Sequence, residues 1–90
     1  MRKGTAGGPW PPWWSWELDL TPHLYRRMVD REFSEIDLRR MLEKAMGYRD
    51  DVVAGRFVIV TRHARHRWEV IVEPDPPVSL LVVVTAYPVS

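Results

Sequence analysis

The stretch RFVIVTRHARHRWEVIVE, residues 56–73, constrains the fold of this chain more than any other. Phe57, Ile59 and Thr61 alternate with Val58, Val60 and Arg62. After a short break, Trp68, Val70 and Val72 alternate with Glu69, Ile71 and Glu73. β-Branched and aromatic residues at period two are the signature of strands, so the stretch predicts two strands joined by a short basic turn. Between the arms, Arg62, His63, Arg65, His66 and Arg67 gather potential cations at one end of a sheet. No bulky hydrophobe interrupts them, so this end is expected to face water or an anion.

Ninety residues make one domain. A domain of this size buries only about 60% of the surface its unfolded chain exposes, so its stability is marginal. The sequence holds no cysteine, which excludes disulfides and thiolate metal sites and fits a reducing cytosol. A net charge of +1 predicts no polyanion partner by itself; the local crowding of arginines matters more. No apolar run approaches the roughly 18 residues of a membrane helix, and none has the shape of a signal peptide. The expected location is cytoplasmic, with no membrane partner.

Residues 1–14 are rich in Gly, Pro and Trp and show no period, which predicts a disordered tail ahead of a single domain at 15–90. Trp10, Trp13, Trp14 and Trp16 could form an aromatic platform for a base or a Pro-rich partner. The plainer reading is that Trp16 packs on the domain and the others stay exposed or associate with one another. Residues 15–20 alternate as a short amphipathic strand. Thr21-Pro22 then reads as a helix start, with Thr as cap and Pro at the first helical position. In the helix that follows, Leu24 and Met28 share one face, and His23, Arg27 and Asp30 another.

Ser34 and Asp37 form a capping pair for a second helix, in which Leu38, Met41, Leu42 and Ala45 make a core-facing stripe. Gly47 reads as its stop signal. Residues 48–55 read as a polar connection, with Val52-Val53 pairing briefly on an edge. Pro74-Asp75-Pro76-Pro77 is expected to break the ladder, and residues 80–87 to form a strand buried on both faces. The expected fold is α+β: two N-terminal helices packed on one face of a mostly antiparallel four-stranded sheet, in the order β-α-α-β-β-β.

His63-x-x-His66 with His23 makes a poor metal site among arginines, and phosphate-cradling glycine loops and nucleophile motifs are absent. No metal or cofactor is expected. What remains is arginine, whose planar fork matches phosphate, and histidine, which takes and returns protons near neutral pH. That pairing suits metal-free RNA cleavage, in which a ribose 2′-OH attacks the adjacent phosphate and arginines stabilise the charge. Composition and spacing alone favour the plainer alternative, a basic loop that keeps a sheet end soluble.

The segment His23-x-x-x-Arg27-Met28-x-x-Arg31, followed by Phe33-Ser34-Glu35, and the closing Val83-Val84-Thr85-Ala86-Tyr87 carry a resemblance. Over about residues 16–89 the chain resembles a small bacterial family of unknown function that is grouped with the barnase/RelE-like ribonuclease toxins. Where that family has Gly after the last arginine, Glu32 stands here. The resemblance implies that His23, Arg27, Arg31 and Thr85 belong to one catalytic site. With Tyr87 they make the expected catalytic set, and Arg62, His63, Arg65 and Arg67 the expected substrate-binding set. His23 or His63 would act as acid or base, arginines would clamp phosphate, and Thr85 and Tyr87 would orient the substrate. The expected activity is that of a metal-independent endoribonuclease of toxin type, with RNA and a cognate antitoxin protein as partners. The alternative is a non-catalytic module that binds a protein or RNA through the basic sheet end.

Overall fold

The computed structural model describes residues 10–89 of the chain. A 3-10 turn at Pro12–Ser15 leads into β1 (Glu17–Leu20), then α1 (Pro22–Arg31), α2 (Glu35–Glu43), β2 (Gly47–Asp50), β3 (Phe57–His63), β4 (His66–Asp75) and β5 (Leu80–Val89). The class is α+β, as the patterning predicts. The sheet has five strands rather than four, in the order β1-β5-β4-β3-β2. Strands β2 to β5 pair antiparallel with their neighbours, while β1 lies parallel to β5.

Both helices cover one face. Leu24 and Met28 of α1 and Leu38, Met41 and Leu42 of α2 pack on Ile59, Trp68, Val70, Val72, Leu81, Val83 and Ala86. Alternation along the strands makes these the same-face positions of β3, β4 and β5. Thr61, on that face, is fully buried; its hydroxyl donates to the Met41 carbonyl, which has no intrahelical partner at the end of α2. The helix starts behave as the sequence dictates. Thr21 Oγ1 accepts from the Leu24 amide (3.1 Å) and donates to the Val83 carbonyl (3.3 Å), so the α1 cap is also its tie to β5. Ser34 and Asp37 complete the capping box of α2. Glu32 closes α1 at φ 55° and ψ 54°, the left-handed conformation that glycine adopts most readily at a helix end.

The fifth strand is β2. Tyr48, Arg49 and Asp50 carry no apolar alternation, which is why the segment reads as a connection. As an edge strand it needs only one neighbour: Tyr48 meets the rings of Trp10, Trp13 and Phe57, and Arg49 reaches Glu69 across the other face. Gly47, expected to stop the second helix, is the first residue of this strand. Val52 and Val53 join no strand; the Val53 carbonyl accepts from the Arg56 amide across the turn that follows, where Val52 is 99% exposed.

Pro74 and Asp75 do not end β4. They continue it against Leu81 and Leu80 of β5. β3 begins at Phe57, opposite Val72, so β4 has one neighbour there and tolerates a missing N–H on its free side. β5 is buried on one face only, because both helices lie on that face and its residues on the other face are only half-buried. A bulge places Val72 opposite Val83 and Ile71 opposite Thr85, leaving Val84 as the extra residue. Simple alternation from Leu81 and Val83 would send Thr85 into the core. The bulge gives that place to Ala86 and leaves Thr85 half-buried.

Residues 1–9 of the expected tail lie outside the described residues. The rest of it is built into the domain. Trp16 packs half-buried against the core as the plainer reading expects, but Trp14 is the most buried of the four N-terminal tryptophans, 5% exposed, and Trp10 stacks on it at 4.2 Å between centroids. Trp13 stacks on Phe57 at 4.8 Å. The indoles thus close the end of the core beside β1 and β2, a role that depends on residues far along the chain.

Candidate functional site

The β3–β4 hairpin turns through Ala64 and Arg65 alone, and both take positive φ, 50° and 69°. This is the twist that a two-residue hairpin requires, but neither residue is the Asn or Gly that adopts it readily. Each such residue costs on the order of 1–2 kcal/mol relative to the right-handed region. The turn closes on His63 opposite His66, so the two imidazoles form a cross-strand pair. They share the face of Thr61 and Trp68, the face the helices cover.

Alternation separates the basic cluster that composition presents as one patch. His63 and His66 lie on the helix side. Arg62 and Arg67, also directly opposite each other, lie on the open side, and Arg65 is exposed at the apex.

On the helix side the tip borders an open cleft of about 570 Å³, whose lining includes Arg31, His63, His66, Trp68, Pro88 and Val89. Trp68 forms its floor. The indole is buried, meets His63 edge to face at 5.4 Å and Phe33 at 5.2 Å, and so limits the swing of the His63 ring. Arg31 enters from the last turn of α1. Its Nη1 donates to the Ala86 carbonyl at 2.8 Å and to Thr85 Oγ1 at 3.4 Å. β1 pairs β5 only as far as Val83, so Arg31 satisfies a carbonyl beyond the end of that ladder. The guanidinium pairs with no carboxylate among the described residues. Glu32 is the one acid among the lining residues.

Asp37, at the start of α2, sits within electrostatic reach of His63. Its carboxyl is held below the usual carboxylate range, first by the hydrogen bond from the Ser34 amide against the opposing effect of burial. The Ser34 hydroxyl and the charges of His63 and Arg40 act in the same direction.

The expected site is therefore brought together in part. Arg31 and His63 line one cleft, and Arg31 also donates to Thr85, which lies outside the cleft lining. His23 stands half-buried in the first turn of α1, and neither it nor Arg27 lines this cleft. Arg27 is paired with Asp30 at 3.1 Å, an exposed ion pair of small energetic consequence. Tyr87 lies on the open face with Arg62 and Arg67. Its hydroxyl donates to Glu69 Oε1 at 2.8 Å, and Arg49 holds the other oxygen at 3.0 Å. Burial, reinforced by the Glu69 hydrogen bond, pushes the Tyr87 phenol up to about 12. Burial also raises Glu69, but the bonds from Tyr87 and Arg49 outweigh it and hold the carboxyl below its usual range.

His66, Trp68, Pro88 and Val89 were not assigned to a site by their sequence pattern. The signal for His66 is present in hindsight, since a two-residue turn at 64–65 makes 63 and 66 same-face partners. Pro88 and Val89 belong to the cleft only because β5 runs beside β4 to the tip.

A family model described as a domain of unknown function (DUF4258) matches residues 20–88, which include both helices, β2 to β4 and nearly all of β5. Arg31, His63, His66, Trp68, Thr85 and Pro88 all fall within the matched span. No curated protein and no solved structure matches the chain.

Proposed function

The chain belongs to the DUF4258 family, and from the cleft at the hairpin tip we propose that it is a metal-independent endoribonuclease. The observation that carries this reading is the pairing of His63 with His66 beside an arginine without a carboxylate partner. His63 takes the proton from a ribose 2′-OH, and its imidazolium forms in the field of Asp37. The freed oxygen attacks the adjacent phosphorus, the bond to the 5′-oxygen breaks, and His66 supplies the proton to that leaving oxygen. Arg31 stabilises the charge on the non-bridging oxygens. The products are a 2′,3′-cyclic phosphate and a 5′-hydroxyl. The grouping with barnase/RelE-like toxins, cytoplasmic action and a neutralising antitoxin partner belong to the same proposal.

Incubation of purified protein with RNA in chelator tests it. Wild type is expected to leave cyclic-phosphate ends, His63→Ala and His66→Ala each to slow cleavage by about 10²–10⁴-fold, and fully 2′-O-methylated RNA to stay intact. Cleavage at the wild-type rate by both variants removes the site. One observation favours a second reading, a binding module without turnover: Arg31 already serves the fold through Ala86 and Thr85. That reading predicts salt-sensitive RNA binding and no cyclic phosphate.

A further inference from the structure

Arg62 and Arg67 stand directly opposite each other at the position next to the closing pair of the hairpin. In a two-residue hairpin this is a pair that exchanges no backbone hydrogen bonds, where Cα atoms approach to about 4.5 Å and side chains come closest. Like charges so placed repel. Among the described residues neither arginine makes an ion pair. The two glutamates of β4 that share their face are already engaged: Glu69 by Arg49 and Tyr87, with only the charge of Arg67 acting on it, and Glu73 by Arg56 at 2.9 Å. A bridging anion relieves the repulsion, and the guanidinium fork matches phosphate oxygens. The open face thus carries a cation pair back to back with the imidazole cleft, and exposed Arg65 joins the two around the apex.

We infer that the hairpin tip is a saddle for single-stranded RNA, with flanking phosphates on Arg62 and Arg67 while the strand passes over Arg65 into the cleft. This deepens the nuclease reading and rests on it for which phosphate is cut. Anion sites on opposite faces of the sheet at this tip, where only the 63–66 turn projects beyond β5, require an occupant that turns sharply around the apex. A duplex, stiff over about 50 nm, does not make that turn; a single strand does.

Fluorescence anisotropy across a salt series, with a short, fully 2′-O-methylated single strand as probe, tests the saddle apart from cleavage. The same sequence as a duplex is the second arm, and polyglutamate is offered as competitor. Wild type is expected to bind the single strand about tenfold tighter than the duplex. The double variant Arg62→Gln/Arg67→Gln, folded by circular dichroism, is expected to lose about 1.4 in salt slope, about 0.7 for each phosphate contact of a single strand. Arg62→Lys/Arg67→Lys keeps most of that slope. An unchanged slope in the glutamine variant, equal affinity for the duplex, or equal competition by charge-matched polyglutamate overturns the inference. Arginine-dependent binding beside unmethylated RNA that stays uncut supports the saddle while it refutes the nuclease reading.

Discussion

Tyr87 and Glu69 face each other across β5 and β4, and their shared proton makes stability depend on pH at both ends of the scale. Glu69 is held below its ordinary value of 4.5, so its contribution is complete above that pH and is lost as pH falls through the folded value. Tyr87 is raised from 10.0 to about 12, so its contribution is complete below pH 10 and is lost between 10 and 12. In an ultraviolet titration, the difference between wild type and Tyr87→Phe is expected to place the Tyr87 ionisation near 12. Thermal melts of the same variant are expected to lose part of the decline that wild type shows above pH 10. A phenol that ionises near 10 would mean that the Tyr87–Glu69 bond does not form. The residue types alone did not reveal this role: in the sequence Tyr87 is one aromatic near a basic cluster, and only its register opposite Glu69 makes it a donor to a half-buried carboxylate.

At the scale of elements, the hairpin was the most legible part of the chain. Its period-two pattern predicts two strands over residues 56–73, and β3 and β4 occupy 57–63 and 66–75. The capping box of Ser34 and Asp37 and the stripe of Leu38, Met41 and Leu42 likewise lie in α2 as their spacing demands. The turn is where local preference and structure disagree, since Ala64 and Arg65 hold a conformation that suits Asn and Gly. The double substitution Ala64→Asn/Arg65→Gly is expected to stabilise the domain by roughly 1–2 kcal/mol in urea melts. Stability that stays level or falls would show that the turn is not of the primed type.

Across the whole molecule, both helices seal one face of the sheet, and the described residues contain no helix long and apolar enough to cross a membrane. Trp14 closes the core at one end, and the tip cleft opens at the other. Truncation of a large buried aromatic costs about 3–5 kcal/mol, a large part of the 5–15 kcal/mol typical of native proteins. Trp14→Ala is expected to be largely unfolded at temperatures where Trp16→Ala remains folded, read by near-ultraviolet circular dichroism. Equal loss from both would return Trp14 to the exposed role that composition suggests.

The sequence by itself determined what a few neighbouring residues can settle: two alternating strands, a capped helix with its apolar stripe, a Thr-Pro helix start, and cations crowded between the strands. These depend on periods of 2 and 3.6 and on hydrogen bonds within one turn. Only the tertiary structure decided that β1 runs parallel to β5, that residues 47–50 join the edge of the sheet, and that a bulge at Val84 exchanges Thr85 for Ala86 in the core. It also decided which cations keep company. A single face covered by helices divides His63 and His66 from Arg62 and Arg67, because adjacent residues of a strand point to opposite sides and nothing local says which side will be sealed.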